Sequence, residues 1–98
     1  MLFAVIFTDQ PGKAHVRVEN LRAHIAWLEL NKDIIPIGGS LREELGDMPK
    51  GGLWIAEAES KTQLEELLKT DPFYIGGLRQ RYEILHWSKA NEERKVLL

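Results

Sequence analysis

Hydrophobic positions recur along this chain with two periods, two residues and three to four, and each change of period marks a new element. From Leu2 to Thr8, Phe3, Val5 and Phe7 fall on one side and Leu2, Ala4 and Ile6 on the other. That pattern predicts a strand apolar on both faces, hence central in its sheet. In Val16 to Asn31, residues Val18, Leu21, Ile25 and Leu28 repeat at three and four, predicting a helix that starts between Lys13 and Val18 and turns this stripe to the core. At about 100° per residue, His24 falls on the stripe's border, with Arg17 and Asn31 on the same flank. Ile34 to Leu41 has strand composition interrupted by Pro36 and Gly38-Gly39, so a short, irregular strand is expected. Arg42 to Gly52, with Gly46, Asp47, Pro49 and Gly51-Gly52, reads as a loop.

Leu53 to Glu59 alternates again, Trp54, Ala56 and Ala58 against Leu53, Ile55, Glu57 and Glu59, and predicts a third strand. Ser60 with Gln63 forms a capping box that opens a helix through Lys69, with Leu64, Leu67 and Leu68 inside. Asp71-Pro72 supplies an N-cap and a first helical residue for a separate short helix over Pro72 to Ile75, which Gly76-Gly77 ends. Arg81 to Ser88 is the last strand, and Lys89 to Leu98 is a charged tail, helical or loose. The order is that of the ferredoxin-like βαββαβ arrangement, an α+β fold with an antiparallel sheet and both helices on one face. Two helices leave the other apolar face uncovered. A second copy under two-fold symmetry is the simplest cover, so a homodimer enclosing a barrel-like space is expected.

Composition narrows the picture. At 98 residues the chain is one domain. A net charge of −2, with Lys and Arg scattered, speaks against nucleic acid and anionic membranes as partners. The absence of cysteine excludes a disulfide, a thiolate metal site and a cysteine nucleophile. The first eight residues carry no basic flank and are soon broken by Asp9 to Gly12, so neither a signal peptide nor a membrane span fits and a cytoplasmic location is expected.

Three histidines stand on separate elements without metal-ligand spacing, so neither a metal nor another cofactor is expected. His15 reads as an exposed surface residue, and His86 shares a strand face with Tyr82 and Ile84. Gly38-Gly39 is not a phosphate loop, and Ser40 offers a hydroxyl without a Gly-x-Ser-x-Gly elbow around it. Arg17 and Asn31 are candidates to bind an acidic group near His24, although Arg17 reads more simply as a solvated flank charge. Trp27, Trp54, Trp87, Phe73 and Tyr74 fill the core or the dimer interface, with one or two expected to line any cavity.

Three segments, Leu21-Arg22-Ala23-His24-Ile25, Ile37-Gly38-Gly39-Ser40-Leu41, and Asp71-Pro72-Phe73 followed by Gly76-Gly77-Leu78, resemble in order and separation the YCII-related (YciI-like) family of small dimeric α/β-barrel proteins. The likeness spans residues 1–88 and leaves 89–98 as a tail. Strand four departs from it by ending in His86-Trp87. The resemblance implies small-molecule chemistry, in a few relatives on ring compounds and including dehydrochlorination of a chlorinated hydroxyquinol. It also implies an active-site pair, His24 as general base or acid and Asp71 as its orienting partner. The residues themselves, apart from the resemblance, offer Arg17, Ser40, Phe73 and Trp27 as candidate substrate contacts. An imidazole exchanges a proton near neutral pH, and a carboxylate on its other nitrogen fixes the tautomer, which suits proton abstraction beside a carbonyl or elimination from an activated ring. The plainer reading of Asp71 is an N-cap, and the two roles can coexist because a carboxylate has two oxygens. A non-catalytic binding or interaction module on the same fold stands as the alternative.

Overall fold

Phe3, Val5 and Phe7, the alternate residues of the first strand, are shut off from solvent, and the sheet is assembled around them. The structure is a computed structural model that describes residues 1–90. Strands β1 (Leu2–Asp9), β2 (Ile37–Leu41), β3 (Gly51–Glu57) and β4 (Arg79–His86) and helices α1 (Ala14–Leu30), α2 (Lys61–Leu68) and the single turn α3 (Pro72–Ile75) follow in the order β1-α1-β2-β3-α2-α3-β4. The sheet is antiparallel in the order β2-β3-β1-β4. This is the ferredoxin-like α+β arrangement, with β1 central as its two apolar faces require. The charged tail expected over Lys89 to Leu98 lies, beyond residue 90, outside the described residues.

Register sorts the side chains. On the helix side, Gly38, Trp54, Val5 and Ile84 stand opposite one another across all four strands, and Ser40, Gly52, Phe7 and Tyr82 form the next row. The core builds on these rows, with Leu64 and Leu68 of α2 and Ile35 packed onto Phe3, Val5 and Trp54. A Cβ on Gly38 would come 3.2 Å from Trp54 Cδ1, so the glycine in the edge strand leaves the room that the indole occupies. On the outer side, Ile37, Ile55, Ala4 and Leu85 make a continuous apolar row flanked by Leu53 and Ile6, with Ile37 and Leu85 exposed in the single chain.

Helix starts follow local chemistry. Ser60 Oγ accepts the Gln63 N–H at 3.1 Å, while the Gln63 side chain accepts the N–H of Glu59 rather than that of Ser60. Asp71 caps α3 by accepting the Phe73 N–H at 3.0 Å, with Pro72 at the first helical position.

Three expectations are corrected. Of the expected stripe, Val18, Leu21 and Ile25 are exposed and Leu28 alone packs against the core. Helix α1 instead buries Val16, Arg17 and His24, a face turned by roughly a quarter of a revolution from the apolar one. Gly51 and Gly52 belong to β3 rather than to the preceding loop, since a Cβ on Gly51 would stand 2.1 Å from the Phe7 carbonyl oxygen and the paired backbones come together only over glycine. Finally, β4 begins at Arg79, two residues before the expected Arg81.

Candidate functional site

His24 is carried by the middle of α1 and is nearly enclosed. Its Nδ1 lies 2.6 Å from Oδ1 of Asp71, 47 positions away and itself 1% exposed. An ionised carboxylate only accepts, so against one Nδ1 is the donor, and a neutral ring in that tautomer has its lone pair on Nε2. The same Oδ1 also accepts the Phe73 N–H, while Oδ2 is buried without a partner among the described residues. Capping and pairing thus fall on one oxygen, which ties the imidazole to the start of α3. Phe73 completes the clamp, its ring stacked on the imidazole at 3.8 Å and 10°.

A second buried cluster adjoins this one. Asp9, at the end of β1, takes Arg17 Nη2 on Oδ2 at 2.5 Å and Arg79 Nη1 on Oδ1 at 2.7 Å. Arg17 also donates to the Gly51 carbonyl at 3.4 Å. The Arg79 guanidinium lies 4.3 Å from the Phe7 ring centroid and 5.2 Å from that of Phe73, and Arg17 lies 5.1 Å from Phe73 on its own account. Burial lowers the Arg79 pKa from the usual arginine range, Asp9 and then Asp71 pull it back up, and Arg17 adds to the lowering. Arg17 is therefore not the solvated flank charge that its place on the helix suggests. It is buried because Asp9 and a strand carbonyl replace its water.

Arg79 and Asp9 did not emerge from the sequence as site residues. Counted by alternation from Tyr82, Ile84 and His86, Arg79 belongs on the outer face. The β1–β4 register slips by one between Thr8, opposite Arg81, and Asp9, opposite Arg79. That irregularity brings Arg79 to the helix side. A Cβ on Gly52 would meet Arg79 Nη2 at 3.3 Å, so Gly52 makes the room in which the guanidinium lies. The nearest sequence signals are Gly51-Gly52 and the Asp9 that closes an apolar strand.

These groups surround a cleft of about 160 Å³ between α1 and the edge of the sheet, lined by Arg17, His24, Ser40, Phe73 and Arg79 with an apolar wall of Leu21, Ile25, Leu28 and Trp54. The exposed helix stripe is thus in part the wall of the cleft. Of the expected contacts, Arg17, Ser40 and Phe73 are brought together with His24. Trp27 is not part of the lining: its indole N–H donates to Thr70 Oγ1 at 3.0 Å and its ring packs 5.4 Å from Trp54. Asn31 closes the end of α1 by donating to the Trp27 carbonyl. Asp71 stands behind His24, away from the cleft surface. His15 is exposed, and His86 rests its ring 4.6 Å from Phe3. Among the described residues no group of three His, Cys, Asp or Glu is placed to hold a metal, and no helix is long and apolar enough to cross a membrane.

The family model of the YCII-related domain matches residues 1–88. The chain is similar to 5-chloro-2-hydroxyhydroquinone dehydrochlorinase (TftG) from Burkholderia phenoliruptrix AC1100, solved in complex with 2,5-dihydroxybenzoquinone. The two are 35% identical with a TM-score of 0.81, over 90% of this chain and 94% of that one. A likeness to the protein Atu4242 from Agrobacterium tumefaciens, 14% identical with a TM-score of 0.47 over 94% of this chain and 98% of that one, carries no argument. No curated protein matches.

Proposed function

This chain belongs to the YCII-related family, and on that premise we propose that its cleft binds a small ring or enol-bearing molecule and moves a proton on it, His24 acting as base or acid and Asp71 positioning it. The observation that carries the reading is the 2.6 Å bond from His24 Nδ1 to a buried carboxylate at the edge of a cleft. It leaves Nε2 as the nitrogen for a substrate and holds the ring so that little motion accompanies transfer. Size supports a single ring, since an apolar cavity of about 150 Å³ accommodates benzene. The relative's name supports the class: loss of HCl from a hydroxylated ring removes one proton to a base and one chloride with its electron pair.

The decisive experiment uses hydroxylated and keto-bearing rings in deuterated buffer, with 5-chloro-2-hydroxyhydroquinone among them, following ring C–H exchange by NMR and chloride release by electrode. The wild-type chain is expected to accelerate exchange or chloride loss on at least one compound, and His24→Gln to return that rate to background. A His24→Gln protein as active as wild type removes the imidazole from the chemistry. Absence of any acceleration over the panel favours the binding-module reading.

Assembly is part of the same proposal. The outer row Ile37, Ile55, Ala4 and Leu85 is covered by the same row of a second copy, giving a homodimer of two facing sheets.

A further inference from the structure

The cleft's ionisable lining is entirely basic. Arg17, Arg79 and His24 face it, while Asp9 lies beneath the two guanidinium groups and Asp71 lies behind the imidazole, neither of them among its lining residues. Two buried arginines share the single carboxylate of Asp9, and each uses one nitrogen on it, Nη2 of Arg17 and Nη1 of Arg79. Among the described residues Arg79 Nε is buried with no partner at all, and its side chain is 4% exposed. A buried guanidinium with unused N–H groups is costly unless something accepts from it. Gly51 and Gly52 keep side chains out of the space beside the pair.

We infer that the ligand enters this cleft as an oxyanion, an aromatic carboxylate or a ring hydroxyl ionised by conjugation, with its charged oxygen on the Arg17–Arg79 pair and its ring against Leu21, Ile25 and Leu28. The inference rests on reading the cleft as a ligand site and names what that ligand carries. Planar guanidinium forks match planar oxyanions, and the two guanidinium charges stabilise the electron-rich ring left when His24 takes a proton.

The test compares isosteric pairs on the full chain by calorimetry: benzoate against benzamide, and 2,5-dihydroxybenzoquinone, whose hydroxyls are vinylogous acids, against 2,5-dimethylbenzoquinone. At least one anion is expected to bind about tenfold tighter than its neutral partner. Preference within the first pair assigns a carboxylate ligand, within the second an ionised ring hydroxyl, and either upholds the inference. Arg79→Lys and Arg17→Lys, which keep the charge and lose the fork, are expected to erase about tenfold of the anion's affinity and leave the neutral compound unchanged. If neither variant folds, the wild-type ranking alone decides. Neutral partners that bind as well as both anions, no binding of any of the four at millimolar concentration, or folded Lys variants with undiminished anion affinity overturn it. Deuterium exchange is read separately from these affinities, so failure of anion selectivity and failure of the His24 chemistry are distinguishable.

Discussion

Arg79 stands opposite Asp9 across the β1–β4 ladder where unbroken alternation would have placed Gln80. One slipped residue converts an outer-face cation into a buried partner of Asp9 and a wall of the cleft. Asp9→Asn leaves two buried guanidinium groups without their counter-charge. We expect it to lower stability by about 3–5 kcal/mol, read from urea unfolding monitored by tryptophan fluorescence. A loss under about 1 kcal/mol would mean that the cluster is solvated in solution.

Asp71 joins two elements through one oxygen. Asp71→Ala removes the α3 cap, about 1 kcal/mol, and leaves the imidazole without its acceptor, a further cost of about 1–3 kcal/mol. Nitrogen-15 correlation spectra should show the neutral His24 ring as the Nδ1–H tautomer in the wild type and a mixture in the variant. The same tautomer in both proteins would show that the carboxylate does not position the ring.

Neighbouring glycines should respond differently to alanine. At Gly51 the added carbon meets the Phe7 carbonyl oxygen at 2.1 Å, which is backbone and has nowhere to go, and a loss of about 3 kcal/mol or more is expected. At Gly52 the closest side-chain contact is the Arg79 guanidinium at 3.3 Å, with the Gly39 carbonyl at 3.1 Å. That protein should fold with a loss of about 1–2 kcal/mol and bind the anion that the wild type prefers more weakly. Equal melting temperatures for the two variants would contradict the packing described.

The outer sheet face tests the assembly. Leu85 is exposed in the single chain, so Leu85→Glu should cost the protomer little yet place two like charges in the interface of a dimer. Sedimentation velocity should give a dimer for the wild type at micromolar concentration and a monomer for the variant. A wild-type monomer under those conditions ends the dimer reading.

Burial first and the neighbouring Glu65 second raise the Tyr82 pKa above the ordinary 10.0. A folded value above the unfolded one means that this stabilisation is complete below about pH 10 and is lost as pH rises through the folded value. The fall in melting temperature of wild type relative to Tyr82→Phe across that window measures it. A constant difference between the two proteins would place Tyr82 in solvent.

Local chemistry was legible in the chain itself. Period two gave β1 and β3, Ser60 with Gln63 and Asp71 with Pro72 gave two helix starts, and their order gave the ferredoxin-like fold, because these signals act between residues a few positions apart. The His24–Asp71 pair was reached through the family resemblance of the segments that carry them, and its bond depends on how α3 docks against α1. What tertiary structure alone decided is the rotation of α1, the aim of Arg79 and the strand assignment of Gly51-Gly52. A hydrophobic stripe predicts the buried face only while charges stay in water. Here Asp9, at the end of the preceding strand, partners Arg17 and Asp71, 47 positions away, partners His24, so the polar flank went inward and Leu21 and Ile25 were left to wall the cleft. Those partnerships, like the register slip beside Asp9, exist only once the strands have paired.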